Sequence, residues 1–319
     1  MSIETSVVIP AYRSANILPM LVQKLQEALD GMYPDAGSER YQVILVNDCS
    51  PDDTWARIEE LSRDRPWLKG INLRKNAGQH NSLLTGLRYA RGQYVIMMDD
   101  DLQHDPADIP KIVASLKAGN DVCYAKFKSK RHAMWKRLGS RFNSMIADRL
   151  LRKPKELYLS PFKGVVRGVR DQMVRFVGPH VYLDGLILAS TNRVTMIELD
   201  HHERLDGQSG YSLGKSISLW LKMATSFSIE PLRIASLLGI FFSGFGFLSA
   251  VALIVQRFTL NAMPVGWSSL IVSVLILGGI QLLALGIIGE YVGRVLLHVN
   301  GTPQAVIHSA VNLEVGEHD

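Results

Sequence analysis

Three consecutive carboxylates, Asp99, Asp100 and Asp101, close an apolar run, QYVIMM, and lead into Leu102 and Gln103. Adjacent carboxylates repel one another unless a cation or a polar network intervenes. On an extended backbone side chains alternate, so Asp99 and Asp101 face one way, and Gln103 continues the alternation with a neutral oxygen. Hard divalent cations such as Mg²⁺ take oxygen ligands, typically one or two carboxylates plus the phosphates of a substrate. The set therefore reads as a divalent-cation site with room for a phosphorylated ligand. Asp105-Pro106 and Asp108 also look like helix-start chemistry, so an acidic helix cap is the competing reading.

The elements that must position these groups can be read around them. TSVVIP (residues 5–10), YQVILV (41–46), residues 69–73 and QYVIMM (93–98) are short β-branched or apolar runs and are predicted strands. Helices are predicted between them: one with Ile17, Leu21, Leu25 and Leu29 at four-residue spacing, then 54–63, then 79–90 with Leu83, Leu84, Leu87 and Ala90 inward. Alternating strand and helix predicts an α/β protein with a doubly wound, mostly parallel sheet, whose ligands bind beyond the carboxyl ends of the strands. Polar groups stand at all four such ends: Tyr12, Asp48, Asn76 and the three aspartates.

The chain has 319 residues, 47% of them hydrophobic and 20% charged, which excludes global disorder. Its net charge of +5 is uneven, because residues 126–155 hold eleven Lys or Arg against Asp148 alone. That excess predicts an anionic partner. Cys49 and Cys123 sit outside any CxxC spacing and are predicted to be buried, reduced thiols. Residues 1–12 lack the basic start and long apolar stretch of a secretory leader, so the first 230 residues are expected in the cytosol.

Residues 234–255 and 268–288 carry no charge. Each would run about 32 Å as a helix, enough to cross a hydrocarbon core of about 30 Å. Lys222, Arg233 and Arg294 flank the pair and Arg257 alone lies between, so both ends are expected on the cytoplasmic side. Residues 131–151 carry Trp135, Leu138, Phe142 and Leu150 at helical spacing among basic residues, and residues 213–227 carry a second stripe. Both read as amphipathic helices at a membrane interface, with arginines near lipid phosphates. The basic patch lacks any nucleic-acid-binding motif and adjoins the spans, so no nucleic-acid partner is expected. His201 and His202 would point to opposite faces of a strand and are not expected to share a metal.

The strings SVVIPAYRSANILP, VILVNDCSPDDT, NLRKNAGQHNSLLTGL, DDDLQHDPADIP, HHERLDGQSGYSL and LGIIGEYVGRV occur in that order along residues 6–303. Together they resemble glycosyltransferase family 2, and within it the polyprenyl-phosphate sugar transferases. The resemblance implies a GT-A catalytic domain over 1–212, an interfacial helix over 213–232, a two-helix membrane region over 233–290 and a cytoplasmic tail over 291–319. It implies that Asp99, Asp101 and Gln103 hold Mg²⁺ or Mn²⁺ on a donor diphosphate. Pro10, Tyr12, Asp48 and Asp100 would form the nucleotide pocket, with Tyr12 against the base and Asp48 on its edge. Arg204 and Ser209 would close over the phosphates. Arg131, Arg137, Arg141 and Lys163 (the end of an SGFR-like motif, here Ser160-Pro161-Phe162-Lys163) would face the acceptor and membrane. Asp184, in VYLDGL, is the acid placed by family order near sugar or acceptor; orienting a hydroxyl, acting as base and capping a helix stay open. Asp101, Asp184 and Arg204 are thus the expected catalytic residues.

The implied reaction is inverting transfer from a nucleotide sugar, with uridine favoured, to a polyprenyl phosphate at a bacterial-type inner membrane, by an enzyme whose family includes homo-oligomers such as tetramers. Two departures stand out: Arg13-Ser14 replaces the family's Asn-Glu, with Asn16 nearby, and the acid before the SGFR-like motif has no counterpart at Leu157. Rival readings are a transferase acting directly on a glycan and a non-catalytic, membrane-anchored nucleotide-binding partner.

Overall fold

The computed structural model describes residues 2–35, 37–127, 157–178, 181–199, 266–300 and 303–313, with short helical pieces within 232–255. Arg131, Arg137, Arg141, His201, His202, Arg204, Ser209 and both expected interfacial helices lie outside the described residues. The chain divides into one unit of residues 1–210 and 301–319 and a second of 211–300.

The first unit is built on a mixed sheet. In chain order its strands are β1 (Thr5–Ala11), β2 (Tyr41–Asn47), β3 (Leu68–Leu73), β4 (Tyr94–Met97), β5 (Val122–Phe127), β6 (Lys163–Val166), β7 (Val194–Leu199) and β8 (Ile307–Val311). They lie in the order β7-β5-β6-β4-β1-β2-β3-β8. The half containing β4, β1, β2 and β3 is parallel, as the strand–helix alternation predicts. Antiparallel pairing enters where β6 lies between β4 and β5 and where β8 pairs with β3.

Strand β1 is buried along its whole length because helices cover both faces of the sheet. Val7, Ile9 and Ala11 join the core under α1 (Leu18–Met32), α2 (Thr54–Ser62) and α4 (Ile109–Lys117), whereas Val8 joins the core under α3 (Gln79–Tyr89), α5 (Arg167–Met173) and α6 (Leu183–Ser190). That split is the period-two alternation of a strand. Helix α1 buries Leu18, Leu21, Val22, Leu25 and Leu29, the apolar stripe expected of a helix on a sheet. Helix α3 comes so close to the sheet that a Cβ on Gly86 would stand 2.5 Å from Val8 Cγ1 and 2.9 Å from Val46 Cγ2.

The segment expected as a cytoplasmic tail over 291–319 supplies an element of the sheet. Its residues 307–311 form β8 at the sheet edge, with Ile71 opposite Ala310 and Asn72 opposite Ser309. Asn312 takes a left-handed backbone, φ 56°, and its Nδ2 donates to the carbonyls of Ser62, Arg65 and Leu68 at 2.7, 3.1 and 2.9 Å.

In the second unit, α7 (Trp267–Val299) runs 33 residues and so continues well past the expected end at 288. Its stretch Leu277–Leu297 is, among the described residues, the one helical segment long and apolar enough to cross a membrane, and none of its 18-residue apolar window is buried. The other expected span contributes the apolar helix Gly239–Leu248, which is shorter than a crossing. Among the described residues one helix is thus long and apolar enough to cross a membrane, by length and composition, and part of the first of the two expected spans lies outside the described residues.

Candidate active site

Strands β1, β2 and β4 end side by side, and their carboxyl ends, with the loop after β3, enclose a cavity of about 380 Å³. Pro10, Tyr12, Asp48, Asn76, Gly78, Gln79, Asp99, Asp100 and Asp101 line it. The residues expected to meet there from four separate segments do meet.

At the end of β1, Tyr12 is 47% exposed, which leaves its ring free to meet a ligand. Arg13 adopts φ 58°, a left-handed conformation that costs a non-glycine residue about 1 kcal/mol or more. Its amide donates to Ser50 Oγ at 2.8 Å and its guanidinium lies 5.6 Å from the centroid of the Tyr12 ring. Ser14, where the family carries Glu, is buried and donates its hydroxyl to Asp100 Oδ2. The Tyr12 amide donates to Ser14 Oγ at 3.1 Å and to Asp100 Oδ2 at 3.4 Å. Asp100 thus ties the β4 loop to the β1 loop. Asn16 is exposed and does not line the cavity.

At the end of β2, both oxygens of Asp48 accept backbone amides from the loop after β3: Ala77 N at 2.7 Å and Gly78 N at 3.0 Å. Asn76 Nδ2 donates to the Asp48 carbonyl at 3.1 Å. Gly78, φ 86°, then turns the chain into α3, a conformation side chains rarely accept. The expected base-edge acceptor is therefore also the clamp that shapes the opposite wall. A carboxylate has lone pairs beyond those two bonds, so the two roles are compatible.

The aspartates lie beyond β4, which ends at Met97. Asp99 Oδ1 accepts from Gln79 Nε2 at 2.6 Å. Burial, then the charges of Asp101 and Asp100, push the Asp99 carboxyl up to about 7. Burial also raises Asp100, against the lowering effect of the Ser14 hydroxyl. Packed acids that resist ionisation are the electrostatic deficit that a bound cation relieves, so the donor set fits Mg²⁺ or Mn²⁺ on Asp99 and Asp101. Gln103 corrects the sequence reading. Leu102 takes φ 56°, which breaks the strand-like alternation, and Gln103 donates its backbone amide to Asp101 Oδ1 at 3.1 Å. It does not line the cavity. Among the described residues no three His, Cys, Asp or Glu side chains form a metal-holding group by themselves.

Lys163 is placed differently from the expectation. Lys163 is 3% exposed on β6, opposite Met97 on β4, so it does not present a lipid-facing surface. Its ammonium pairs with Asp184 Oδ1, which also accepts from the Tyr124 hydroxyl at 2.9 Å. Asp184 sits in the first turn of α6, but Tyr182 occupies the cap position, so the capping alternative does not apply. Leu157 is a buried core residue. The thiol reading holds for Cys123, which is buried, whereas Cys49 is exposed at φ 51° beside Asp48.

Sequence reasoning passed over two contributors and gave a third another partner. Gln79 steadies Asp99 and Ser14 holds Asp100, while Lys163, expected toward acceptor and membrane, faces Asp184. Gln79 was within reach, because it opens the predicted helix that starts beside the strand ends. The other two depend on side-chain pairings 86 and 21 residues apart, which spacing does not reveal.

A sheet whose parallel half carries a cavity at its strand ends, lined by an exposed tyrosine and a cluster of aspartates, defines an α/β protein with an acidic ligand cavity. Comparison narrows this further. The glycosyl transferase family 2 profile matches residues 6–174. The uncharacterized glycosyltransferase YkcC of Bacillus subtilis is 30% identical over 98% of this chain and 95% of its own length. The undecaprenyl-phosphate 4-deoxy-4-formamido-L-arabinose transferase of Aeromonas hydrophila is 30% identical over 96% of this chain and 93% of its own. Among solved structures, glucosyl-3-phosphoglycerate synthase from Mycobacterium tuberculosis, in complex with Mn²⁺, UDP-glucose and phosphoglyceric acid, overlays 64% of this chain and 72% of its own, with TM-score 0.46 and 16% identity. The chain belongs to glycosyl transferase family 2 and is a glycosyltransferase.

Proposed function

We propose that this enzyme transfers a sugar from a nucleotide diphosphate donor, with uridine the favoured base, to the phosphate of a polyprenyl phosphate such as undecaprenyl phosphate, with inversion. It works from the cytoplasmic face of an inner membrane. The observation that carries the reading is a cavity in which Tyr12 and Asp48 stand beside the half-buried Asp99 and Asp101. The cavity is of a size for a nucleotide and its diphosphate, and the acids sit where a cation-bound diphosphate would lie. The acceptor rests on the full-length relatives named as undecaprenyl-phosphate transferases, and on the long apolar helix α7.

The chemistry asks little of a general base. A phosphate monoester has its second pKa near about 6, so the lipid phosphate is already anionic near neutral pH. One of its oxygens attacks the anomeric carbon, the bond from that carbon to the donor diphosphate breaks, and the nucleotide diphosphate leaves with the electron pair. A divalent cation, when bound, supplies Lewis-acid stabilisation of that leaving charge. Asp99 and Asp101 would hold it. Asp48 fixes the loop that forms the far wall, and Tyr12 receives the base. Arg204 and Ser209, by family order, close over the diphosphate, and Arg131, Arg137 and Arg141 meet the lipid phosphate.

The acceptor assignment is tested by replacing undecaprenyl phosphate with undecaprenol under otherwise identical conditions. Labelled lipid is expected from the phosphate alone. Equal labelling of the alcohol would contradict the reading, since a neutral hydroxyl needs the base that this scheme omits.

A further inference from the structure

Asp100 lies between the two acids that would hold the cation, yet its own bonds run to the loop after β1. We propose that Asp100 and Ser14 form a latch that couples cation binding to nucleoside binding: a cation drawn onto Asp99 and Asp101 sets Tyr12 for the base, and a base on Tyr12 tightens the cation. Asp100 is then a positioning residue, in place of the direct nucleotide contact that the resemblance implies for it. The inference rests on the transferase reading and assigns a regulation of that same site.

The latch stands where the sheet lets go. Pairing between β1 and β4 ends at Val8 and Met97, with a last backbone bond from Met98 N to the Val8 carbonyl at 3.4 Å. Pro10 has no amide hydrogen with which to carry the ladder on. Beyond it, Asp100 renews the connection through its side chain. Its Oδ2 accepts the Tyr12 amide at 3.4 Å and the Ser14 hydroxyl, and Ser14 Oγ accepts the same Tyr12 amide at 3.1 Å. Tyr12 N, Ser14 Oγ and Asp100 Oδ2 thus close a triangle on a serine that is 4% exposed. The Tyr12 ring is exposed, so its direction is set through the backbone that this triangle holds.

The chain makes the triangle answer to the cation. Asp99 and Asp101 are the immediate neighbours of Asp100, so a cation that gathers their oxygens fixes the backbone from which Asp100 reaches. Without that cation the adjacent carboxylates repel one another and the segment is less defined. The rest of the Tyr12 loop is held from the other side: the Arg13 amide donates to Ser50 Oγ at 2.8 Å and the Ser14 amide to Thr54 Oγ1 at 2.9 Å. Those bonds anchor residues 13 and 14 to the loop after β2 and leave the Tyr12 amide to Asp100. Ser14 stands where the family carries Glu. An ionised carboxylate accepts hydrogen bonds and donates none, so it could not make this bond to Asp100; the latch depends on this chain's own pair of residues. Because coupling between two bound ligands is reciprocal, it can be read from either one.

The test uses uridine, which has no phosphate to touch the cation. Ligand-observed NMR titration of the full chain in detergent gives the uridine affinity with saturating Mg²⁺ and with a chelator. Electron paramagnetic resonance gives the Mn²⁺ affinity with and without uridine. Wild type, Asp100→Ala, Asp100→Asn and Ser14→Ala are compared. Uridine is expected to bind wild type about fivefold or more tightly with the cation than without it, and Mn²⁺ to gain a like factor from uridine. That factor should fall to within about twofold in Asp100→Ala and to an intermediate value in Ser14→Ala, which keeps the longer Tyr12 bond. Asp100→Asn keeps an acceptor oxygen and should retain most of the factor. If Asp100→Ala fails to fold, Ser14→Ala and Asp100→Asn carry the comparison. A wild-type factor within about twofold, or the same factor in every variant, would overturn the latch. So would a loss in Asp100→Asn as complete as in Asp100→Ala, which would assign the coupling to charge and not to the hydrogen bonds. A wild type that binds neither uridine nor UDP, with or without cation, would instead overturn the transferase reading on which the latch depends.

Discussion

At the scale of residues, the site is held by carboxylates that do more than face a ligand. Asp48 accepts two backbone amides and Asp100 a buried hydroxyl and an amide, so each fixes a loop as well as lining the cavity. Removing one partner of a buried hydrogen bond costs about 1–3 kcal/mol. Asp48→Ala is therefore expected to destabilise the protein by about 2 kcal/mol or more, and to weaken UDP binding because the loop at residues 76–78 loses its shape. Ser14→Ala should cost less, since it leaves the Tyr12 amide on Asp100. Thermal scanning and UDP titration of the two variants check this; equal, small effects would show that the clamp is dispensable. Much of this scale was legible. The aspartate run, Tyr12 and Asp48 were found from their places after apolar strands. What was not legible was direction. The left-handed Leu102 turns Gln103 out of the alternation, and Lys163 is held inside by Asp184; neither a single positive φ nor a pairing across the sheet leaves a spacing signal.

At the scale of elements, the approach of α3 to the sheet sets where the cavity's far wall stands. A methyl on Gly86 would push α3 away from Val8 and Val46. Gly86→Ala is expected to cost about 1–3 kcal/mol and also to lower UDP affinity, because Gln79 opens the same helix. Gly31, in α1, has nothing within 4 Å of its would-be Cβ. Gly31→Ala should stabilise by up to about 1 kcal/mol through helix propensity alone. Chemical denaturation of both variants tests the contrast, and the same sign for the two would undo it. The strands and helices of the parallel half were readable because their apolar patterns are long and bounded by turns. Strand β8 was not. Five residues beyond a long apolar helix carry too short a pattern, and only pairing with β3 defines them. Asn312→Ala removes the side chain that reaches three carbonyls of the α2–β3 turn. It is expected to loosen the tail, read as faster proteolysis near residue 306 and faster amide exchange in β3. Unchanged protection would mean that the strand pairing alone holds the tail.

At the scale of the whole molecule, a catalytic unit is interrupted in sequence by a unit that holds the long apolar helix, and its last strand is supplied from beyond that helix. Deleting residues 303–319 should therefore damage the soluble unit and not merely shorten a tail, with loss of UDP binding as the readout. Composition and hydropathy foretold an apolar region near the C-terminus. They did not foretell that the chain returns to the sheet, because that depends on long-range pairing.

The central claim is cation-dependent transfer to a lipid phosphate from the site of Asp99 and Asp101. The most direct measurement is transfer of radiolabel from a panel of UDP- and GDP-sugars to undecaprenyl phosphate by the purified full chain, with Mg²⁺, Mn²⁺ or a chelator, beside Asp101→Ala. The account predicts labelled lipid from a uridine donor, abolished by the chelator and reduced by about a hundredfold or more in the variant, in line with losing an electrostatic stabiliser of the departing group. Undiminished labelling in Asp101→Ala, or none from any donor despite tight UDP binding, would contradict it.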